Sequence, residues 1–142
     1  MESKDFLKQV KTLDKRIKNK LIEKQQWHDL ALTITANMGG EKVQSSGSQS
    51  KMADAVEVCV DMEGEILREV INLRNTKTKV IQTIERLDNA TAYDVLHMRY
   101  IQHLSLQDVA DHYKKDYSWA TTVHGRALRY LQAILDKEKD DA

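Results

Sequence analysis

The sequence predicts an all-α protein, and three observations support this fold class. Its 142 residues include no proline and only five glycines, the residues that usually punctuate multi-strand folds. Charged residues make up 31% of the chain, and this combination favours long helices. Apolar residues also recur at alternating intervals of three and four over two long segments, which is typical of coiled-coil packing.

The first predicted helix covers residues 4–35. Lys20 and Lys24 interrupt its apolar seam, which consists of Phe6, Val10, Leu13, Ile17, Trp27, Ala31 and Ile34. The stretch "NMGGEKVQSSGSQ" at 37–49 is rich in Gly, Ser and Gln, so a polar loop is predicted there.

The second predicted helix covers about 50–87. Glu63 and Lys77 interrupt its apolar seam. The seam consists of Met52, Val56, Cys59, Ile66, Val70, Leu73, Val80, Ile84 and Leu87. An antiparallel hairpin is the simplest arrangement of the two helices. A register that places Ile34 near Ala53 also sets Lys24 beside Glu63. The alternative is an intermolecular coiled coil, which would make a homodimer through the N-terminal helices.

Three shorter helices are predicted after the hairpin. The third covers roughly 92–103 with Thr91 as its N-cap, and the fourth begins after Ser105, with Asp108 completing a box-like cap. Asp116 can cap the fifth, at about 117–137. The predicted domains are therefore a helical hairpin at 1–88, a three-helix module at 89–137 and an acidic tail at 138–142.

The fifth helix has two different sides when its residues are placed at 3.6 per turn. The apolar side collects Ala120, Val123, His124, Ala127, Leu131 and Ile134. The opposite side, here called the polar face, carries Ser118, Thr121, Thr122, Gly125, Arg126 and Arg129. Hydroxyls and guanidiniums can bond phosphates and base edges, and a glycine lets the backbone approach closely. A short capped helix, a tight turn and this longer helix predict a helix-turn-helix.

The stretch "LHMRYIQHLSLQDVADHY…TTVHGRALRYLQAIL" resembles region 4 of bacterial sigma factors, the domain that reads the −35 promoter element. The matching positions are Arg99-Tyr100, Leu104-Ser105, Asp108-Val109-Ala110 and Arg126-Ala127-Leu128. The turn departs from the family, because Lys114 stands where Gly is usual and Lys115 where an apolar residue is usual. Whether the left-handed turn of the family is kept is therefore open, since a non-glycine residue there costs roughly 1–2 kcal/mol.

Residues 34–56, together with "YDVLHMRYIQ" and "HGRAL", resemble a family of small phage-encoded transcriptional regulators found in prophages and mobile elements of Gram-positive bacteria. These resemblances imply sequence-specific binding of duplex DNA and regulation of phage or mobile-element genes, with host RNA polymerase as a further candidate partner. Carried over by position, the implied DNA-binding residues are Lys114, Lys115, Tyr117, Ser118, Thr121, Thr122, Gly125, Arg126 and Arg129.

Structural explanations for several of these residues stay open at this point. Gly125 could simply make room for a neighbouring helix, and Arg126 could bridge to Asp108 or Asp111. Tyr117 could pack at the helix entry. For the protein as a whole, the alternatives are a small terminase-like DNA-packaging protein and a coiled-coil adaptor that binds only protein.

Enzymatic function is not expected. The five histidines and the single cysteine, Cys59, have no zinc-like spacing, and "MGGEK" lacks the spacing of a phosphate-binding loop. We therefore expect no catalytic residues, no metal site and no cofactor. One cysteine fits a reducing cytoplasm, and no apolar run approaches the roughly 20 residues of a membrane span. A cytoplasmic, nucleoid-associated protein of a bacterial host, with no membrane partner, is the resulting prediction.

Overall fold

The computed structural model describes residues 1–40 and 46–141, with side chains described for 1–36 and 50–141. Over these residues the predicted all-α fold is confirmed, with five α-helices and no β-strand. The elements are α1 (Ser3–Gly40), α2 (Ser46–Ile84), α3 (Ala90–Leu96) followed by a π-helical turn (His97–Ile101), α4 (Leu106–His112) and α5 (Tyr117–Asp141). None of these helices is both long and apolar enough to cross a membrane.

The polar loop predicted at 37–49 includes residues that are helical in the structure. Residues 37–40 continue α1 and residues 46–49 begin α2, whereas 41–45 lie outside the described residues. Glycine costs about 1 kcal/mol in a helix interior relative to alanine, which weakens a helix without ending it. Proline would end it, and the sequence contains none.

The boundary between α2 and α3 also differs from the prediction. Helix α2 ends at Ile84 rather than near Leu87, and Leu87 donates its N–H to the Ile84 carbonyl at 3.1 Å in a tightened last turn. Helix α3 is capped by Asn89 rather than Thr91, because the Asn89 side chain accepts from Ala92 N at 3.0 Å. Asparagine ranks above threonine at this position, which explains the earlier start.

The chain forms two compact units that do not divide at the predicted boundary of residue 88. One consists of Met1–Leu13 with Leu73–Ala142, and the other of Asp14–Asn72. The reason is the core of the first unit, where the start of α1 and the end of α2 pack together with α3, the π-helical turn and α5. Its buried residues include Phe6, Leu7, Val10, Val80, Ile84, Leu96, Tyr100, Ala127 and Leu131. Residues 138–141 of the predicted tail continue α5, and Glu138 pairs with Arg86.

Among the described side chains of the unit Asp14–Asn72, three ion pairs join α1 to α2. They join Arg16 to Glu69 at 3.6 Å, Lys20 to Glu65 at 3.0 Å, and Lys24 to Glu63 at 2.9 Å. Positions rise along α1 as they fall along α2, so the helices run antiparallel in this unit. The predicted contact between Lys24 and Glu63 is confirmed.

Candidate nucleic-acid interface

Helix α4 and the turn after it are held by local hydrogen bonds. Ser105 Oγ accepts from Asp108 N at 3.1 Å while Asp108 Oδ2 accepts from Ser105 N at 3.0 Å, so the predicted capping box is present. The hydrogen bond from the Ser105 N–H holds the pKa of the Asp108 carboxyl below its ordinary value, and the Ser105 side chain lowers it further. At the other end, Lys114 N donates to Asp111 O and Lys115 N to Ala110 O, the bond pattern of a Schellman motif.

Lys114 takes the position that is usually glycine in such a turn. Its φ is 55°, so the left-handed turn is kept although the residue is lysine. Tyr113 ties the turn to α3, because its hydroxyl donates to Asp94 Oδ2 at 3.2 Å. Burial raises the pKa of Tyr113, and the Asp94 carboxylate raises it further. The turn therefore presents Lys114 and Lys115 to solvent on a fixed backbone.

Helix α5 begins at the predicted cap. Asp116 Oδ1 accepts from Trp119 N at 2.8 Å. Trp119 packs beside Tyr113, with ring centroids 5.1 Å apart, whereas Tyr117 is 54% exposed. Packing at the start of α5 is therefore seen for Trp119, whereas Tyr117 stays exposed.

The apolar side of α5 faces the protein, as predicted. Ala120, Ala127 and Leu131 are buried, and Val123 packs against the cluster of Val95, Met98 and Val109. His124, which is partly buried on this side, shares a 2.8 Å hydrogen bond with the Tyr100 hydroxyl. Burial lowers the pKa of His124, and the positive charges of Arg99 and Lys4 lower it further.

The opposite side of α5 is open to solvent. The exposed members of the polar face and its neighbours are Lys114, Lys115, Tyr117, Ser118, Thr121, Thr122, Arg126 and Arg129, with Gly125 half-exposed among them. The Thr121 and Thr122 hydroxyls each donate to the carbonyl four residues earlier at 3.0 Å. Their oxygens keep free lone pairs, so each hydroxyl can still accept a hydrogen bond.

Gly125 does not make room for a neighbouring helix. A Cβ built on it would meet no atom within 4 Å, leaving out the helix's own backbone. The φ of Gly125 is not positive, so its backbone conformation does not require glycine either. Packing and backbone geometry therefore give no reason for a residue that costs about 1 kcal/mol in this helix.

The two arginines of the polar face form no ion pair with any side chain described in the structure. The bridge from Arg126 to Asp108 or Asp111 is absent there, and those carboxylates accept from Ser105 N and Gln107 Nε2 instead. Together with Lys114 and Lys115, the two arginines give four exposed cations at the candidate interface.

Lys4 lies near this surface and was not among the predicted site residues. Ser3 N donates to Gln132 Oε1 at 2.7 Å, which fixes the start of α1 against α5. Lys4 and Arg129 then line a common groove of about 460 Å³. No local signal could have found Lys4, because its position depends on packing between residues more than a hundred positions apart.

Among the side chains described, no group of three or more His, Cys, Asp or Glu residues could hold a metal ion. A family model described as "Protein of unknown function (DUF1492)" matches residues 32–132, which include the end of α1, all of α2 and the candidate interface. No curated protein matches the chain, and no solved structure does.

Proposed function

The chain belongs to the DUF1492 family, and we propose that it binds duplex DNA through the polar face of α5 and the turn before it. The observation that carries this proposal is Gly125, which stands on an exposed face where no part of the chain that the structure describes requires it. A bare backbone is useful at such a position when a surface from outside approaches closely. The guanidiniums of Arg126 and Arg129 flank it, and their geometry suits phosphates and guanine edges.

The arrangement of α4 and α5 supports the same function. A short capped helix, a four-residue connection and a longer helix with one buried and one open side are the parts that helix-turn-helix proteins use in the major groove. In this geometry the first residues of α5 approach the bases, and Lys114 and Lys115 contact the phosphate backbone.

The resemblance to sigma region 4 indicates that the proposed DNA binding would serve transcription. The protein would act as a transcriptional regulator of phage or mobile-element genes at the nucleoid, alone or with host RNA polymerase. Four cations per module give modest affinity, because each neutralised phosphate contributes only about −0.9 to the log–log salt slope. A homodimer through the N-terminal helices would present two modules and bind more tightly.

Fluorescence anisotropy with a mixed-sequence duplex, from about 50 to about 300 mM salt, tests this proposal. We expect binding that weakens with salt and that Arg126→Ala/Arg129→Ala makes much weaker, with a slope shallower by about 1.8. The matched control is Lys137→Ala/Lys139→Ala, which removes two exposed charges from the C-terminal end of the same helix, beyond the residues of the polar face. Equal binding by both double variants, or no binding by the wild type at low salt, would overturn the proposal.

A further inference from the structure

We infer that two copies of the chain associate through a second apolar stripe on α2, packed antiparallel about Gly64. The stripe consists of Val56, Val60, Gly64, Leu67 and Ile71, all within the unit Asp14–Asn72. Its members follow one another at intervals of three or four residues, the spacing that lets two helices pack along their length.

This stripe is separate from the side of α2 that packs against α1. Ala55 and Met62 are buried and Glu63 and Glu69 pair with α1, whereas the four large residues of the stripe remain open. Val56, Val60, Leu67 and Ile71 are 49%, 59%, 60% and 45% exposed. A row of half-exposed aliphatic side chains on one face is typical of a surface that a partner covers.

The exposed apolar residues of α1 in the same unit do not form such a stripe. They are Leu21, Ile22, Trp27, Leu30 and Leu32, and at 3.6 residues per turn they are spread over about two thirds of the helix circumference. The repeating pattern is thus specific to α2.

Gly64 marks the centre of the stripe. A Cβ there would meet only the Arg68 guanidinium, at 3.7 Å, so folding of the single chain does not require a glycine. Between Val60 and Leu67 it opens a shallow notch in the row of side chains. A second helix can approach closely at such a notch, and a symmetric pairing places the two glycines against each other.

The charges beside the stripe indicate the second occupant and its direction. Glu57 and Asp61 are like charges four residues apart, an unfavourable pair on an isolated helix. Arg68 lies on the same edge, and none of the three forms an ion pair with a described side chain. An antiparallel second copy brings its Arg68 to Asp61, and its Leu67 to Val60, twice by symmetry. A second copy of this chain therefore covers the apolar row and pairs Asp61 with Arg68.

Sedimentation velocity of the full chain at micromolar concentrations tests whether the stripe forms a dimer. Leu67→Glu is compared with Ile22→Glu, because the two leucine-sized side chains are 60% and 58% exposed and only Leu67 lies in the stripe. We expect dimers for the wild type and for Ile22→Glu, and a dissociation constant at least about tenfold higher for Leu67→Glu. A monomeric wild type, or equal association of the two variants, would overturn the inference.

Cysteine cross-linking tests the direction of the two helices. In a Cys59→Ala background, a tagged chain carrying Val60→Cys is mixed with an untagged chain carrying Leu67→Cys and oxidised. Antiparallel packing predicts a disulfide between the two different chains, because only those positions come within bridging distance. Disulfides confined to pairs of Val60→Cys chains would show parallel packing and contradict the proposed arrangement.

Discussion

Lys24 Nζ lies 2.9 Å from Glu63 Oε1, so the charges that interrupt the apolar seams of α1 and α2 lie against each other. The sequence predicts this contact because a heptad register, once fixed at one point, determines which residues face each other along both helices. Lys20, the other cation of the α1 seam, is matched in the same way by Glu65 at 3.0 Å. Charges in these seams thus specify the alignment of the pair.

We expect Lys24→Glu to lower the free energy of unfolding by about 1 kcal/mol, since it sets two carboxylates together at a partly exposed site. The exchanged pair, Lys24→Glu with Glu63→Lys, restores the contact and recovers most of the loss. Urea denaturation of the three proteins measures this. A doubly substituted protein no more stable than the single variant would contradict the register.

Lys114→Gly should stabilise the protein by about 1 kcal/mol. The φ of 55° at Lys114 is strained for a residue with a side chain and unstrained for glycine. The same change removes a cation beside the polar face, so the salt slope of DNA binding should become shallower by about 0.9.

Lys115→Gly is the matched control for that variant. It removes the same charge one residue later, where φ is not positive. Denaturant unfolding should show no gain in stability for Lys115→Gly. A comparable gain in both variants would mean that charge repulsion, and not backbone strain, explains the effect.

Gly125→Ala should stabilise α5 by up to about 1 kcal/mol, because alanine is the better helix former and its methyl group meets open space. Thermal and urea unfolding of the variant measure this directly. Loss of stability would show that another part of the protein packs against Gly125 after all.

The stability of the protein should fall in mildly acidic solution because of His124. Its pKa is lowered in the folded state by burial and by the charges of Arg99 and Lys4, so below about pH 6.5 the unfolded chain binds the proton more readily. The contribution of the neutral ring is complete above that pH and is lost as the pH falls toward the folded-state pKa. Unfolding free energies measured between neutral and acidic pH should depend less on pH in His124→Gln. Identical pH profiles for the two proteins would contradict this assignment.

Features set by neighbouring residues could be predicted from the sequence, and those set by distant packing could not. The caps at Ser105 and Asp116 depend on residues three positions away, and the open side of α5 follows from helical periodicity. Asn89 was missed because two good caps, Asn89 and Thr91, stand close together and the lower-ranked of the two was predicted. Lys4 reaches the candidate interface because the start of α1 packs against α5, as in the contact of Ser3 with Gln132. The ligand of the polar face is a separate matter, since an exposed basic surface folds in the same way whether DNA or protein covers it.

The most direct test of DNA binding through the polar face is the affinity of Gly125→Glu for duplex DNA at low salt. The substitution has open space around it, so the fold should be retained, and circular dichroism checks this. It places a negative side chain next to Arg126 and one helical turn before Arg129, on the side of α5 that the proposed DNA contact would cover. We predict that binding falls at least about tenfold relative to Gly125→Ala. Equal affinity of the two variants would mean that DNA does not contact this face, and would contradict the proposed function.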